Sequence, residues 1–186
     1  MHRISNIETA VLGLVCEKPR YGYELEKIIE EREMRNWTEI GFSSIYYVLK
    51  RLEKYGYIKS KFEGVPGKPA RKVYSITNKG NKVMLETVKD FLSTTVKPHI
   101  PFELGMAYMK FLPPQDVLAC LNSYLKSLDD RLNHLQDKLS FTQQSKAPFH
   151  VIALFTRPIA LVKAERIWVK VFIRDYQEYN KNLRGK

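Results

Sequence analysis

The chain has 186 residues, of which 44% are apolar, and its 31 Lys or Arg against 20 Asp or Glu give a formal net charge of +11 at pH 7. This apolar content is enough for one large or two small globular domains. No segment has the ~20 uninterrupted apolar residues of a membrane-spanning helix, and the N-terminus lacks the cleavage pattern of a secretory signal. We therefore expect a cytoplasmic protein with no membrane partner. The positive charge favours a polyanion, which by charge alone is either nucleic acid or an anionic lipid surface.

Two helices are predicted in the first 35 residues. Ser5 and Glu8 have the spacing of a capping box, which indicates that the first helix begins near Ser5, and Pro19 ends it. A second helix follows, and residues 36–41 form a turn. Cys16 lies in the first helix and Cys120 in a helical pattern far along the chain, so we expect two buried free thiols rather than a disulfide.

A basic helix is predicted over residues 43–55. The apolar positions that share one of its faces are Ile45, Val48, Leu49, Leu52 and Tyr55. The opposite face consists of Ser43, Tyr47, Lys50 and Lys54, with Arg51 beside it. Residues 41–89 contain eleven Lys or Arg and three Glu, whereas residues 1–40 contain six basic and eight acidic side chains. The positive charge is therefore concentrated in and after this helix.

A β-hairpin is predicted directly after the basic helix. Gly56 is suited to end that helix, residues 57–62 and 71–76 alternate as strands do, and residues 64–69 are rich in Gly and Pro. A basic helix followed by a basic hairpin is the arrangement of a winged helix-turn-helix, whose helix enters the major groove and whose wing reaches phosphate. We predict such a DNA-binding domain over residues 1–96, bounded by Pro98 and Pro101.

The candidate DNA contacts lie on the basic helix, on the wing and around the start of the second helix. Ser and Thr hydroxyls, Tyr rings and Lys or Arg side chains are suited to phosphate or base edges. The candidates are Arg20, Tyr23, Ser43, Ser44, Tyr47, Lys50, Arg51, Lys54, Lys68, Arg71 and Lys72. The alternative to DNA contact is that these residues form an ordinary solvated helix face and a soluble hairpin tip.

The second half of the chain predicts a helical domain over residues 97–186. Leucines recur there with alternating intervals of three and four, which is the seam of a coiled coil. This seam comprises Leu118, Leu121, Leu125, Leu128, Leu132, Leu135 and Leu139. A second long helix over residues 149–180 is apolar on two faces and includes Trp168 and Phe172; one face can cover the leucines, and the other is left for a second subunit. A homodimer is therefore expected, with an intramolecular helical hairpin as the alternative.

Together these elements predict a mainly α protein with a small β-hairpin wing: an N-terminal winged helix-turn-helix and a C-terminal helical coiled-coil dimerisation domain. The stretches YGYEL at 21–25, SSIYYVLKRLEKYGYI at 43–58 and PARKVYSITNKG at 69–80, in this order, resemble the PadR family of transcriptional regulators. The resemblance covers about the first 90 residues. More loosely, the C-terminal half, with a Trp in its last helix, resembles the AphA-like virulence activators of that family.

The resemblance implies a cytoplasmic dimer that binds an inverted-repeat operator, usually as a repressor, whereas AphA-like members can activate. In many members a small aromatic effector relieves DNA binding. Such an effector pocket could be lined by Met106, Tyr108, Phe155, Phe172 and Trp168, although aromatic residues at helical spacing also form ordinary cores. Tyr47 stands where the family commonly has Pro, so the base preference of relatives does not transfer to this chain.

Two other classes of function are compatible in part with this composition. A basic helical adaptor that binds an acidic protein or lipid is the rival to a DNA-binding protein. An enzyme is not expected, because the histidines at positions 2, 99, 134 and 150 lack metal-ligand spacing, and no phosphate-binding glycine loop or nucleophile motif occurs. We therefore predict no catalytic residue, no metal and no cofactor.

Overall fold

The computed structural model describes residues 4–36, 38, 40–41, 45–64, 70–95 and 101–184. The chain divides into two units, residues 1–97 and 98–186, which we call the N-terminal and C-terminal units. Ser43, Ser44 and Lys68, three of the candidate DNA contacts, lie outside the described residues. No helix within these described ranges is long and apolar enough to cross a membrane.

The described helices of the N-terminal unit are α1 (Asn6–Glu17), α2 (Gly22–Glu31), a 3₁₀ turn (Met34–Asn36), α3 (Ile45–Lys54) and α4 (Asn78–Ser93). The predicted capping box is confirmed: the Glu8 amide donates to the Ser5 hydroxyl at 3.2 Å, and the Ser5 amide donates to the Glu8 carboxylate at 2.8 Å. Gly56 has a φ of 70°, so a residue suited to the left-handed region follows α3, as predicted.

The strands of the N-terminal unit form one antiparallel sheet. Strands β2 (Ile58–Glu63) and β3 (Arg71–Ile76) confirm the predicted hairpin, and a two-residue strand β1 (Arg20–Tyr21) adds to the other side of β3. Sequence analysis missed β1 because two residues are too short to show alternation. β1 brings the start of α2 beside the wing.

The core of the N-terminal unit lies between α1, α2, α3 and the sheet. Leu12, Leu25, Ile29, Leu49 and Leu52 have no exposed surface. Four residues of the predicted apolar face of α3 are buried in this core, namely Ile45, Val48, Leu49 and Leu52, whereas Tyr55 follows the helix and is half-buried. This burial determines which side chains of α3 face solvent.

The C-terminal unit consists of α5 (Pro101–Tyr108), a 3₁₀ turn (Met109–Phe111), α6 (Pro114–Gln144) and α7 (Phe149–Arg184). Helices α6 and α7 pack as an antiparallel hairpin, in which Arg166 pairs with Asp129 and the Tyr124 hydroxyl bonds to Glu165. The buried side chains that pack together between them are Leu128, Leu132, Ile159, Val162 and Val169.

This hairpin gives the leucine seam a partner within the same chain, as expected for one face of the second long helix, and the role of these leucines in a dimer stays a prediction. Leu121, Leu128 and Leu132 are buried, and Leu118, Leu125 and Leu135 are half-buried. α7 of the same chain packs on the middle of this seam, at Leu125, Leu128, Leu132 and Leu135. These leucines therefore hold the hairpin together.

The prediction of two buried thiols is wrong for Cys120. Cys16 is half-buried on α1, whereas Cys120 is exposed on α6. Cys120 is adjacent to Leu121 of the seam, and one residue along a helix turns the side chain by about 100°, away from α7. Both thiols are free, as expected.

Candidate nucleic-acid interface

The outward face of α3 carries exposed cations. Tyr47 is 62% exposed, and Lys50 and Lys54 are exposed beside it. Neither lysine forms an ion pair with any residue that the structure describes. Uncompensated positive charge on a helix whose other face is fixed in a core is suited to phosphate contacts.

Arg51, on the side of the same helix, is directed inward. Its Nη2 lies 3.2 Å from Glu8 Oε1, and its guanidinium lies 5.7 Å from the Tyr47 ring centre and 5.8 Å from that of Tyr55. A hydrogen bond to the Tyr55 hydroxyl, and next the charge of Glu8, raise the pKa of Arg51. Arg51 was predicted as a DNA contact, but its charge already has a partner in the protein.

On the wing, Lys72 has a carboxylate partner, whereas Arg71 has none among the described residues. Arg71 is exposed at the start of β3, and its guanidinium lies 5.2 Å from the Tyr23 ring centre. Lys72 Nζ is 2.7 Å from Glu53 Oε2, and Ser60 Oγ donates to the other oxygen of that carboxylate. These contacts lower the pKa of Glu53, mainly through the hydrogen bond from Lys72, and they tie α3 to the sheet.

Arg20 does not fit its predicted role as a phosphate contact. Its side chain is buried, with 6% of its surface exposed; Nε donates to the Leu14 carbonyl at 3.0 Å and Nη2 pairs with Glu17 at 2.6 Å. A buried guanidinium needs such partners, and the strand pairing of β1 with β3 holds it there. Arg20 therefore joins the end of α1 to the sheet.

A cleft of about 260 Å³ opens between the start of α2, the start of α3 and strand β3. The residues that line it are Tyr21, Gly22, Tyr23, Tyr46, Arg71, Lys72 and Tyr74. The rings of Tyr21 and Tyr23 stack at 5.6 Å. A Cβ at Gly22 would lie 2.7 Å from Tyr46 Cε1, so glycine allows α2 to begin this close to α3.

The cleft brings together two candidates that are far apart in sequence, Tyr23 and Arg71, and adds three tyrosines that sequence analysis did not assign to the DNA surface. The missed residues are Tyr21, Tyr46 and Tyr74. The recurrence of Tyr beside the basic segments was the available signal, but only the pairing of β1 with β3 explains why these rings meet.

The residues predicted for an effector pocket fall into separate groups. Trp168, 44% exposed, stacks on Phe172 at 4.9 Å and meets Phe102 edge-on at 6.1 Å, and Phe102 stacks on Tyr124 at 4.4 Å. Tyr108 instead stacks on Phe111 at 6.2 Å. Met106 and Phe155 are half-buried. Among the described residues, no ring contact joins Tyr108 or Phe155 to Trp168.

No group of three or more His, Cys, Asp or Glu in the described ranges is arranged to hold a metal ion.

Comparison with known proteins supports the assignment of the N-terminal unit as a winged helix-turn-helix. Residues 11–86 match the transcriptional regulator PadR-like family. An uncharacterised protein of Lysinibacillus sphaericus is 35% identical over 86 residues, which are 46% of this chain and 78% of that protein.

Three solved structures share the fold at 20% identity over 92% of this chain. Bacillus subtilis PadR in complex with operator DNA has a TM-score of 0.74 over 99% of its chain. The same protein in complex with p-coumaric acid has 0.73 over 98%, and a PadR-like transcriptional regulator from Bacillus cereus has 0.65 over 98%. The family match and the winged fold lead to one conclusion: the chain belongs to the PadR-like family, whose members are DNA-binding transcriptional regulators and not enzymes.

Proposed function

We propose that this protein is a homodimeric repressor that binds an inverted-repeat operator through α3 and the wing. The observation that carries the proposal is the exposed face of α3, where Tyr47, Lys50 and Lys54 lie together with no carboxylate partner for either lysine among the described residues. The basic helix is fixed from behind by Leu49 and Leu52, so it can present this face to a groove without refolding.

The contacts divide by the chemistry of each side chain. Lys50 and Lys54 neutralise phosphates, and Tyr47 meets a phosphate or a thymine methyl group. Arg71 reaches phosphate from the wing, with the Tyr23 ring beneath its guanidinium. From sequence, Ser43, Ser44 and Lys68 complete the surface. Lys72 contributes by holding the wing to α3 through Glu53.

The proposal of a homodimer rests on the outer face of α7. Leu154, Leu161 and Trp168 are exposed and lie seven residues apart, with exposed Ile167 and Val171 beside Trp168. A seven-residue repeat of exposed apolar side chains is the pattern of a second coiled-coil seam, and solvent does not favour so much apolar surface. A dimer with two-fold symmetry presents two α3 helices to half-sites about 34–36 Å apart, one turn of DNA.

A small aromatic effector is the third part of the proposal. The half-exposed stack of Phe102, Tyr124, Trp168 and Phe172 offers ring faces to a planar ligand; Bacillus subtilis PadR, of the same fold, has been solved with p-coumaric acid. We expect p-coumaric acid to quench tryptophan fluorescence and to release DNA. Loss of quenching in Trp168→Phe would support this site, and full quenching in that variant would contradict it.

The first test is a fluorescence-anisotropy titration with DNA from upstream of the protein's own gene and with a scrambled duplex, at low and at physiological salt. A preference of about 10³-fold or more that persists at physiological salt would support operator recognition. Equal and salt-labile binding to both duplexes would contradict it. In that case co-sedimentation with anionic liposomes would examine the adaptor function instead.

The second test assigns the contacts. Lys50→Ala with Arg71→Ala should weaken binding and reduce the salt slope by about one unit per lost phosphate contact. Lys163→Ala with Lys170→Ala removes the same charge from exposed positions of α7 and is the matched control. A wild-type slope in the first variant would contradict the proposed surface. A reporter gene behind the bound promoter then separates repression from AphA-like activation.

A further inference from the structure

A buried carboxylate lies directly behind the proposed DNA-reading face. Glu8 of α1 is 2% exposed. Its Oε2 accepts the hydrogen bond from the Ser5 amide, whereas Oε1 is buried without a hydrogen bond. The cation within ion-pair distance of Oε1 is Arg51, at 3.2 Å, and the described residues supply no other. A carboxylate at this depth needs a positive partner, so Arg51 is held by α1.

The same guanidinium lies near two tyrosine rings, that of Tyr47 on α3 and that of Tyr55 directly after the helix. Tyr47, Arg51 and Tyr55 are four residues apart, and the Tyr55 amide, directly after α3, still donates to the Arg51 carbonyl at 2.9 Å, so the three side chains continue one stripe. The Arg51 Cζ is 5.7 Å from the Tyr47 ring centre and 5.8 Å from that of Tyr55, and Arg51 donates to the Tyr55 hydroxyl at 3.4 Å. An exposed tyrosine on a helix is otherwise free to exchange rotamers. The guanidinium face limits that freedom for Tyr47.

We propose that Arg51 is a positioning residue for DNA recognition and not a DNA ligand: Glu8 neutralises its charge, and its planar group orients Tyr47 toward the groove. The inference rests on the proposed function and deepens it, because it makes a core residue of α1 a determinant of specificity. Lysine cannot replace arginine here, since an ammonium group cannot contact a carboxylate edge and two ring faces at once. Lys50, the next residue in the chain, keeps its charge for phosphate.

The variant that tests the positioning role of Arg51 removes the charges of Glu8 and Arg51 together. Arg51→Met alone would leave Glu8 buried and unpaired and would destabilise the fold, so Glu8→Gln is added to it; replacing both members of a buried pair is tolerated far better. Circular dichroism melting checks that the double variant E8Q/R51M folds. Lys50→Ala is the matched control, because it removes one charge from the adjacent position.

DNA titrations should separate positioning from contact. The probe is a duplex that the wild-type protein selects from a random pool, compared with its scrambled form. We expect E8Q/R51M to keep the wild-type salt slope but to lose about tenfold in preference, the effect of one lost base contact, and Lys50→Ala to lower the slope by about one unit. In a Tyr47→Ala background, E8Q/R51M should have no further effect on preference. A lowered slope, or an unchanged preference, in E8Q/R51M would overturn the inference.

A measurement on the free protein distinguishes failure of this inference from failure of the proposed function. With ¹³C-labelled tyrosine rings, the Tyr47 signal, assigned from Tyr47→Phe, should shift and sharpen in E8Q/R51M, whereas that of Tyr179 on α7 should not. Unchanged Tyr47 signals would overturn the inference whatever the DNA result. If the wild-type protein selects no duplex, the proposed function fails, and the ring signals alone decide whether the pair orients Tyr47.

Discussion

The two units of this protein bury their apolar side chains very differently. In the N-terminal unit, Leu12, Leu25 and Leu49 have no exposed surface and the best-buried residues come from several elements. In the C-terminal unit the cluster is drawn mainly from α6 and α7, and Leu161 of α7 is 53% exposed. A unit of four helices and a sheet encloses its core, whereas each helix of a two-helix hairpin has one long neighbour and buries one stripe.

This difference separates the tasks of the two units. The N-terminal core fixes the orientation of α3 and the wing within one chain, so the proposed DNA-reading surface does not need a second subunit to form. The outer stripe of α7 remains apolar and exposed, and its burial requires a partner. The predictions below test this division, from the largest expected effect to the smallest.

The largest effect is expected from a charge on the outer stripe of α7. Leu161→Asp with Trp168→Asp should convert the proposed dimer to a monomer of 21.8 kDa, as measured by light scattering at micromolar concentration. Burying two carboxylates in an apolar interface is costly. Lys163→Glu, an exposed position on another side of α7, is the control. A wild-type mass of 21.8 kDa would refute the dimer, and Leu128→Asp should instead disrupt the hairpin itself because Leu128 is buried under α7.

A smaller effect, on the free energy of unfolding, is expected from leucine-to-alanine substitutions that leave cavities. Leu49→Ala should lower the free energy of unfolding by about 2–5 kcal/mol, since the side chain is fully buried in the N-terminal core. Leu125→Ala, at a half-buried position of α6, should cost clearly less. Urea denaturation followed by circular dichroism measures both. Equal losses would contradict the contrast in burial between the two units.

Sequence periodicity predicted the longer elements but neither the short strand β1 nor the partners of charged side chains. Ser5 with Glu8 predicted the start of α1, and alternation predicted both strands of the wing. It did not predict that Arg51 would pair with Glu8, because a pattern indicates which face a residue occupies and not which distant carboxylate meets it. Arg20 was misjudged for the same reason.

The leucine heptads show a second limit of periodicity. An alternating three and four spacing satisfies a helix from the same chain and a helix from another chain equally well. Within this chain, Leu128 and Leu132 pack against α7. The sequence did indicate that α7 has two apolar faces. Only the burial of Val162 and Val169 shows which of the two faces packs inside the hairpin and which stays exposed.

A modest effect is expected from acid on the link between α3 and the wing. The hydrogen bond from Lys72, and then that from Ser60, hold the pKa of Glu53 below its ordinary value of 4.5. A lower pKa in the folded state means that protonation favours unfolding, so this contribution is complete above pH 4.5 and is lost as the pH falls through the lowered value. Glu53→Gln and Lys72→Met should each flatten the loss of stability toward about pH 3 in urea titrations. A profile as steep as wild type would contradict this role for the pair.

The smallest effect is a difference in reaction rate between the two thiols, with no change in stability. Burial, and then the nearby charge of Glu17, raise the pKa of Cys16, whereas Cys120 is exposed on α6. Because the thiolate is the reactive form, Ellman's reagent near neutral pH should modify Cys120 in a fast phase and Cys16 in a slow one. Cys120→Ala should remove the fast phase and Cys16→Ala the slow one, and urea should make the rates equal. A single phase in the native protein would contradict the difference in burial. If the fast phase speeds up further in the Leu161→Asp, Trp168→Asp variant, the proposed dimer interface extends from α7 to the face of α6 that carries Cys120; an unchanged rate would exclude Cys120 from that interface.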